Sequence, residues 1–482
     1  MVLLTKTKYK AGLACPKYLW MLEHDGDKLP EMNETVEFII NQGHIIGQLA
    51  KQLYPKGIDI PESNFSKNLE LTKQYLKEKK PLFEPSFLTD NLYARADILV
   101  PKGKKWNIVE VKSSTSVKEE QIHDVSFQRY VYEKSGIKIN KCYLAHINKD
   151  FVKKGEIKAK RIIKKEDITE EVNKISEGIQ ERTQDMLKIL SRKDSLPHVH
   201  IGNGCNNGYG ECPSEECWSF LPEGHVFELY YGGKKSYELL EGQVQCLVDI
   251  PQGFKLNEKQ EIQKECAKTG KIYTEPKKIK EFLDSFQEPV YYLDFETFST
   301  AVPLFDGVKP YQQIPFQFSC HIIEKGKKSH VKFLHREASD PRKELLNALK
   351  ICLGEKGTII VYNQSFEIGR LKELAKAFPK EKKWVESVIA RIIDLIVPFR
   401  SFWYYNPKQK GSMSIKYVLP ALTEKGYGDL DIGKGDLASV KYLEATFHNG
   451  KDREKVYKDL LVYCGQDTEG MVWIVEELTR LI

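Results

Sequence analysis

No stretch of this 482-residue chain is apolar for long enough to cross a bilayer. Its opening residues, Met1-Val2-Leu3-Leu4-Thr5-Lys6, turn polar and basic too early to form the apolar core of a secretory signal. The expected setting is the cytoplasm, with no membrane partner. Charge of one sign is also scarce: 74 Lys and Arg face 68 Asp and Glu, and a net +6 does not by itself call for nucleic acid. The basic runs at 77–80, 102–105, 158–165 and 277–280 read equally well as solvated faces. Internal repeats and low-complexity segments are missing, which leaves ordinary globular domains. At this length, with 41% hydrophobic residues, two or three of them are expected.

Paired C-x-x-C motifs are absent from the ten cysteines, and a reducing compartment argues against disulfides. Cys142, Cys246, Cys266, Cys320, Cys352 and Cys464 stand alone in apolar or helical contexts and read as small buried residues. Cys205, Cys212 and Cys217 instead share the glycine-rich loop 202–218, whose backbone can curl round a small object. Cys15, beside a proline in Ala14-Cys15-Pro16-Lys17, is the candidate fourth thiolate. Four thiolates suit a 4Fe-4S cluster or zinc, and the missing C-x-x-C pairs favour iron–sulfur. Such a group would staple the two ends of the first domain together.

The chain divides by pattern into 1–222, a mainly helical bridging segment 223–288, and an α/β domain 289–482. Residues 1–60 read as helices, followed by strands at Leu92–Val100, Trp106–Lys112 and Cys142–Ile147 and a helix at Glu119–Lys134. An amphipathic helix is expected over 166–190. In the last domain, strands are expected at Val290–Thr297, Gln317–Ile323, Val331–Leu334 and Thr358–Tyr362, with helices from Glu367, near Ala390 and at the end.

Two carboxylate constellations carry the chemistry. Glu110 and Lys112 lie two apart on a strand and share a face, and Asp97 on the neighbouring strand can meet them. Two carboxylates and the Val111 carbonyl suit Mg2+ or Mn2+, while Lys112 can position a nucleophile or stabilise charge on a phosphate. In the other half Asp294 and Glu296 also share a strand face. Glu367 opens a helix after the apolar Ile359-Ile360-Val361, and Tyr463 and Asp467 lie one helical turn apart. Asp394 is an alternative acid, or a structural residue at a strand end.

The Asp…Glu-x-Lys pattern with Gln128 and Tyr132 one turn apart resembles the RecB-like branch of the PD-(D/E)XK, restriction-endonuclease-like, nucleases. One early cysteine plus three late ones resembles their iron–sulfur members. That resemblance implies catalytic Asp97, Glu110 and Lys112, supporting Gln128 and Tyr132, and 4Fe-4S on Cys15, Cys205, Cys212 and Cys217. The usual metal-binding His position is Gly47 here, and His44, one turn earlier, is the substitute. Residues 289–482 resemble the RNase H-like DEDD exonucleases with Tyr in the last motif. That implies two metals on Asp294, Glu296, Glu367 and Asp467, with Tyr463 orienting water; Glu367 stands where Asp is usual. The whole chain resembles a bacterial family that fuses these two modules. Gln312 and Gln313 lie on a loop where they can meet a substrate strand or form a structural turn, and Ser412 and Lys416 offer phosphate contacts. The aromatics 402–405 suit base stacking or core packing. The implied activity is degradation of single-stranded DNA or DNA ends, 3′ to 5′ in the C-terminal domain. RNA exonuclease activity and a catalytically weakened nucleic-acid-binding scaffold are the alternatives.

Overall fold

The computed structural model describes residues 2–60, 64–193, 196–202, 205, 217–428, 432–448, 450 and 452–482. It is a mixed α/β protein with two larger mixed sheets and many helices. Among the described residues, no helix is long and apolar enough to cross a membrane. The chain forms two compact units: Met1–Phe220 with Thr300–Gln312, and Leu221–Ser299 with Gln313–Ile482.

In the first unit a six-stranded sheet runs Ile58–Asp59, Leu82–Phe83, Ile98–Lys102, Lys105–Val111, Ile139–Ile147, Ile163–Asp167. Lys105–Val111 pairs antiparallel with Ile98–Lys102 and parallel with Ile139–Ile147, the parallel step being made by the helix Glu119–Lys134. Its side chains alternate between two cores. Trp106 and Ile108 pack with Val125, Phe127 and Val131, whereas Val109 packs with Ile46 and Ala50 of the helix Glu34–Lys51. Two expected elements are broken. Leu92–Val100 splits, because Leu92–Arg95 pairs with Leu4–Thr5 and Ser86–Thr89 in a separate small sheet. Between the two strands the Ala96 N–H donates to the Tyr132 hydroxyl at 2.9 Å and, at 3.3 Å, to the Pro85 carbonyl. The helix expected over 166–190 is the end of a strand followed by two helices, Thr169–Ser176 and Ile179–Ser191, separated at Gly178.

The insert Thr300–Gln312 completes this unit although it follows the first strand of the other one in sequence. Ala301 is fully buried in the core with Ile46, Ala50 and Phe151, and its N–H donates to Gln42 Oε1 at 2.8 Å. Backbone bonds tie Gly307 and Val308 to Lys153. The Tyr311 hydroxyl donates to the Ser113 carbonyl at 2.6 Å.

In the second unit a five-stranded sheet runs Lys327–Leu334, Ile314–Glu324, Val290–Phe298, Thr358–Val361, Ile392–Asp394. The first three strands are antiparallel and the last two join in parallel. Along Val290–Phe298 the odd residues Tyr291, Leu293 and Phe295 pack on one side against Leu345, Leu349 and Leu371 from the helices Arg342–Cys352 and Ser365–Ala377. Val290 and Tyr292 face the other side, toward the helices Ile415–Thr423 and Arg453–Arg480. The period of two therefore sends Asp294 and Glu296 to that second side. Residues 223–288, expected to bridge two domains, group with this unit: Tyr230, Cys266 and Ile279 share its core with Phe402, Tyr404 and Tyr405. Of the aromatic run 402–405, three members are thus core residues and Trp403 packs partly against them.

Candidate functional site

The strand Val290–Phe298 reaches its register shift between Glu296 and Thr297, directly after the two acids. Opposite it, the 28-residue helix Arg453–Arg480 presents Tyr463, Cys464 and Asp467 on one face, since three- and four-residue spacings stack on a helix. Asp294, Glu296 and Cys464 place one ligand atom each within 4.8 Å of one another. Cys464 is buried and its thiol donates toward Asp294 Oδ2 at 3.7 Å, so it does not stand alone in an apolar context as its sequence neighbours imply. Asp467 Oδ1 accepts from the Tyr427 hydroxyl at 2.6 Å, and Tyr463 is a second donor to the same carboxylate. The Lys416 ammonium lies 5.7 Å from the Tyr463 ring centre and 5.9 Å from that of Tyr427, and donates to the Gly433 carbonyl at 2.7 Å.

Three carboxylates thus meet one nearby ammonium. Burial, then the charge of Asp467, pushes Asp294 and Glu296 well above the ordinary carboxylate range. Burial raises Asp467 itself to about 6, against the opposing pull of Tyr427 and Lys416. Burial likewise holds the Tyr463 hydroxyl far above its ordinary value, with Asp467 adding to it, so it remains a proton donor. Such an arrangement is relieved in one of two ways, by protons or by a divalent cation. Glu367, in the first turn of Ser365–Ala377, is 2% exposed, is raised to about 8 by burial, and has an Oε2 without a hydrogen-bond partner among the described residues. It lies outside the tight trio, though its charge acts on Asp294. The orphaned oxygen and the raised acids fit a hard divalent cation held by oxygen ligands. Asp394 is a structural strand-end residue: its Oδ1 accepts the N–H groups of Asn363 at 2.8 Å and Ile396 at 3.2 Å.

The first unit assembles a different site. Glu110 is fully buried, and three donors occupy it: Lys6 at 2.6 Å and Lys112 at 2.9 Å on Oε1, and Gln128 at 2.8 Å on Oε2. Burial alone would raise Glu110, but the Lys112 and Lys6 ammoniums outweigh it and hold the carboxyl far below its usual range. Lys112 also donates to Asp124 at 2.8 Å. Asp97 Oδ2 accepts the Val111 N–H at 2.6 Å, and burial next to Glu110 raises this acid to about 6. Here the cations are already supplied by the chain. Tyr132 is structural, with its hydroxyl donating to the Pro85 carbonyl at 2.7 Å. His44 is exposed on the helix Glu34–Lys51 and does not join Asp97 and Glu110 within metal-sharing distance.

Gln312 and Gln313 serve local structure: Gln312 Oε1 accepts the Lys309 N–H at 3.1 Å, and Gln313 Oε1 accepts from the Thr297 hydroxyl at 2.7 Å. Ser412 precedes the helix Ile415–Thr423, on which Lys416 sits beside Tyr463. Cys15 is half-buried between the helices Lys6–Ala14 and Pro16–His24. Cys205 and Cys217 are half-buried, and Cys212 lies outside the described residues. Among the described residues these cysteines form no metal-sharing group. Sequence reasoning missed Lys6, Asp124, Tyr427 and Cys464. Only the last two carried any signal: Cys464 adjoins Tyr463, and Tyr427 stands in a Gly-Tyr-Gly turn.

A family model described as a domain of unknown function (DUF2779) matches residues 291–414, a span that holds Asp294, Glu296, Glu367 and Ser412. The chain is similar to the uncharacterized protein UU173 of Ureaplasma parvum serovar 3, at 30% identity over 217 residues, 40% of this chain and 31% of that protein. It is also similar to the uncharacterized protein MG366 of Mycoplasma genitalium, at 27% identity over 228 residues, 42% of this chain and 34% of that protein. The chain thus spans about a third of the length of the curated relatives it matches.

Proposed function

We propose that the protein is a divalent-metal-dependent nuclease acting on single-stranded nucleic acid or its ends, DNA before RNA. In this reading the second unit is a DEDD exonuclease of the RNase H-like kind, working 3′ to 5′. The observation that carries it is the close approach of Asp294 and Glu296, with Asp467 near enough for its charge to act on both and held by Tyr427 and Tyr463. Asp294, Glu296 and Asp467 would hold Mg2+ or Mn2+, with Glu367 as the further oxygen ligand. A cation held there would lower the pKa of an attacking water and offset charge on the phosphate. Tyr463, kept protonated, orients the attacking water through its hydroxyl. Tyr427 fixes the rotamer of Asp467 through its 2.6 Å bond. Lys416 offsets negative charge that develops on the phosphate.

The first unit is read as the PD-(D/E)XK module, and Cys15, Cys205, Cys212 and Cys217 as the ligands of a 4Fe-4S cluster, or of zinc; iron and zinc content of anaerobically purified protein distinguishes them. One observation favours a second reading for this unit. With Lys6, Lys112 and Gln128 all on Glu110, it suits binding without turnover. The deciding experiment is degradation of end-labelled single-stranded DNA and matched RNA with Mg2+ or Mn2+ by wild type, Asp294→Ala and Lys112→Ala. Loss of cleavage in Asp294→Ala, with Lys112→Ala active, is the expected result. The opposite pattern would remove the second-unit assignment, and an inert wild type would move the chain to the binding-scaffold reading.

A further inference from the structure

A second feature of the same unit shares no lining residue with the acids and takes no part in the chemistry above. Tyr231 is 84% exposed, the ring of an aromatic side chain left almost wholly in water. Its backbone sits at φ +46°, in the left-handed region that a non-glycine residue adopts at a cost. Neither property is explained by packing. The ring is nevertheless held on a pedestal: its edge meets Tyr230 at 4.6 Å between centres, Tyr230 meets Phe402 at 4.9 Å, and Phe402 stacks on Tyr405 at 5.0 Å.

Tyr231 forms one wall of a cavity of about 330 Å³, a size that suits one nucleotide. The other walls mix apolar Ile396 and Met413 with the polar groups of Arg400, Ser412 and Ser414. Arg400 is exposed and has no carboxylate partner among the described residues, while its backbone carbonyl is anchored by Lys259 Nζ at 2.6 Å. Ser412 and Ser414 each accept one backbone N–H, which leaves the hydroxyl hydrogens to donate. Gly411 makes the floor possible. It sits at φ +71°, and a Cβ there would lie 2.0 Å from the Glu228 carbonyl. Ser414 caps the helix Ile415–Thr423, and two residues later Lys416 lies beside Tyr463 and acts on Glu296 and Asp467. The cavity and the acids are therefore joined by one short, rigid stretch of chain.

We propose that this cavity is a subsite for a nucleotide of a single strand, remote from the bond that is cut. Tyr231 stacks on the base, and Arg400 with Ser412 and Ser414 holds the adjoining phosphate. The chemistry is that of sequence-tolerant single-strand binding, an aromatic platform next to a cation and hydroxyl donors. A base has no preferred edge in such a site. The inference rests on the nuclease reading only in taking nucleic acid as the ligand; it does not require turnover.

The test separates the two. Fluorescence anisotropy with labelled single-stranded DNA of about twenty nucleotides, in EDTA, compares wild type with Tyr231→Ala, Arg400→Ala and Tyr231→Phe. In parallel, hydrolysis of thymidine 5′-(p-nitrophenyl) phosphate with Mn2+ reports on the acids alone, because that ester carries no second nucleotide. Tyr231→Ala is expected to weaken long-strand binding roughly five- to a hundredfold, with Tyr231→Phe restoring it and ester hydrolysis unchanged in all variants. Arg400→Ala should also weaken binding and reduce its dependence on salt. Long-strand binding by Tyr231→Ala and Arg400→Ala within about twofold of wild type would overturn the subsite and leave the nuclease reading standing, since stacking of this kind is worth more than that. Absence of long-strand binding by wild type would overturn it too. If wild type binds the strand, the variants weaken it and no phosphodiester is cut, the subsite stands and the nuclease reading falls.

Discussion

Asp467 and Glu367 bind protons more tightly in the folded chain than in an open one, at about 6 and about 8 against ordinary values of 3.8 and 4.5. A carboxyl raised on folding contributes stability that is fully present below its unfolded pKa and is lost as the pH climbs through its folded one. The metal-free protein should therefore melt at lower temperature at about pH 8 than at about pH 5. Saturating Mn2+ should reverse the trend, because a cation that displaces protons binds better where they are already gone. Thermal scans at both pH values, with and without Mn2+, check this; an equal Mn2+ shift at both, or none, would speak against a carboxylate cation site. Asp294→Asn removes one of the repelling charges and should flatten the metal-free pH dependence in the same scans. The residues behind this prediction were unevenly legible. Asp294 with Glu296, and Tyr463 with Asp467, are readable because each pair obeys the period of its own element. Tyr427 reaches Asp467 across 40 positions and Lys6 reaches Glu110 across 104, and no local pattern encodes such a meeting.

The strand Val290–Phe298 owes its place to a close approach at its start. Gly357 adopts φ +94°, and a Cβ there would stand 2.1 Å from the Pro289 carbonyl. The next residue, Thr358, opens the strand that pairs in parallel with Val290–Tyr292. Gly357→Ala combines a clash with a disfavoured backbone and should cost about 3 kcal/mol, read as a lower urea midpoint with an unchanged slope. A change within experimental error would mean that this junction yields, and that other contacts set the strand. The second-unit strands were legible because buried central strands give unbroken apolar runs such as Ile359-Ile360-Val361. Leu92–Val100 misled for the same reason: an apolar run does not record that Leu92–Arg95 and Ile98–Lys102 belong to different sheets. The 166–190 segment misled because amphipathic periodicity survives a two-residue interruption at Glu177 and Gly178.

At the scale of the molecule, the boundary between units does not follow the chain. The pattern of expected strands and helices placed a division near residue 289, but packing returns Thr300–Gln312 to the first unit. Pattern could not show this, because Ala301 is a small residue whose burial depends on what faces it. In the full-length protein, Ala301→Asp would place an unpaired charge among Ile46, Ala50 and Phe151 and should destabilise the first unit by about 3 kcal/mol. Limited proteolysis should then cut within residues 1–220 while peptides of the second unit persist. Unchanged protection of residues 1–220 would show that the insert is dispensable to that core.

The insert also bears on how the protein comes off the ribosome. Domains made first ordinarily fold first, yet here the first unit lacks Ala301 until about eighty residues have followed Phe220. At ordinary rates of synthesis that is a delay on the order of ten seconds, during which the pocket for Ala301 lies open to water. A nascent chain in that interval is a natural client for a chaperone. It also means that the gene cannot be cut between its two halves without leaving one of them unfinished.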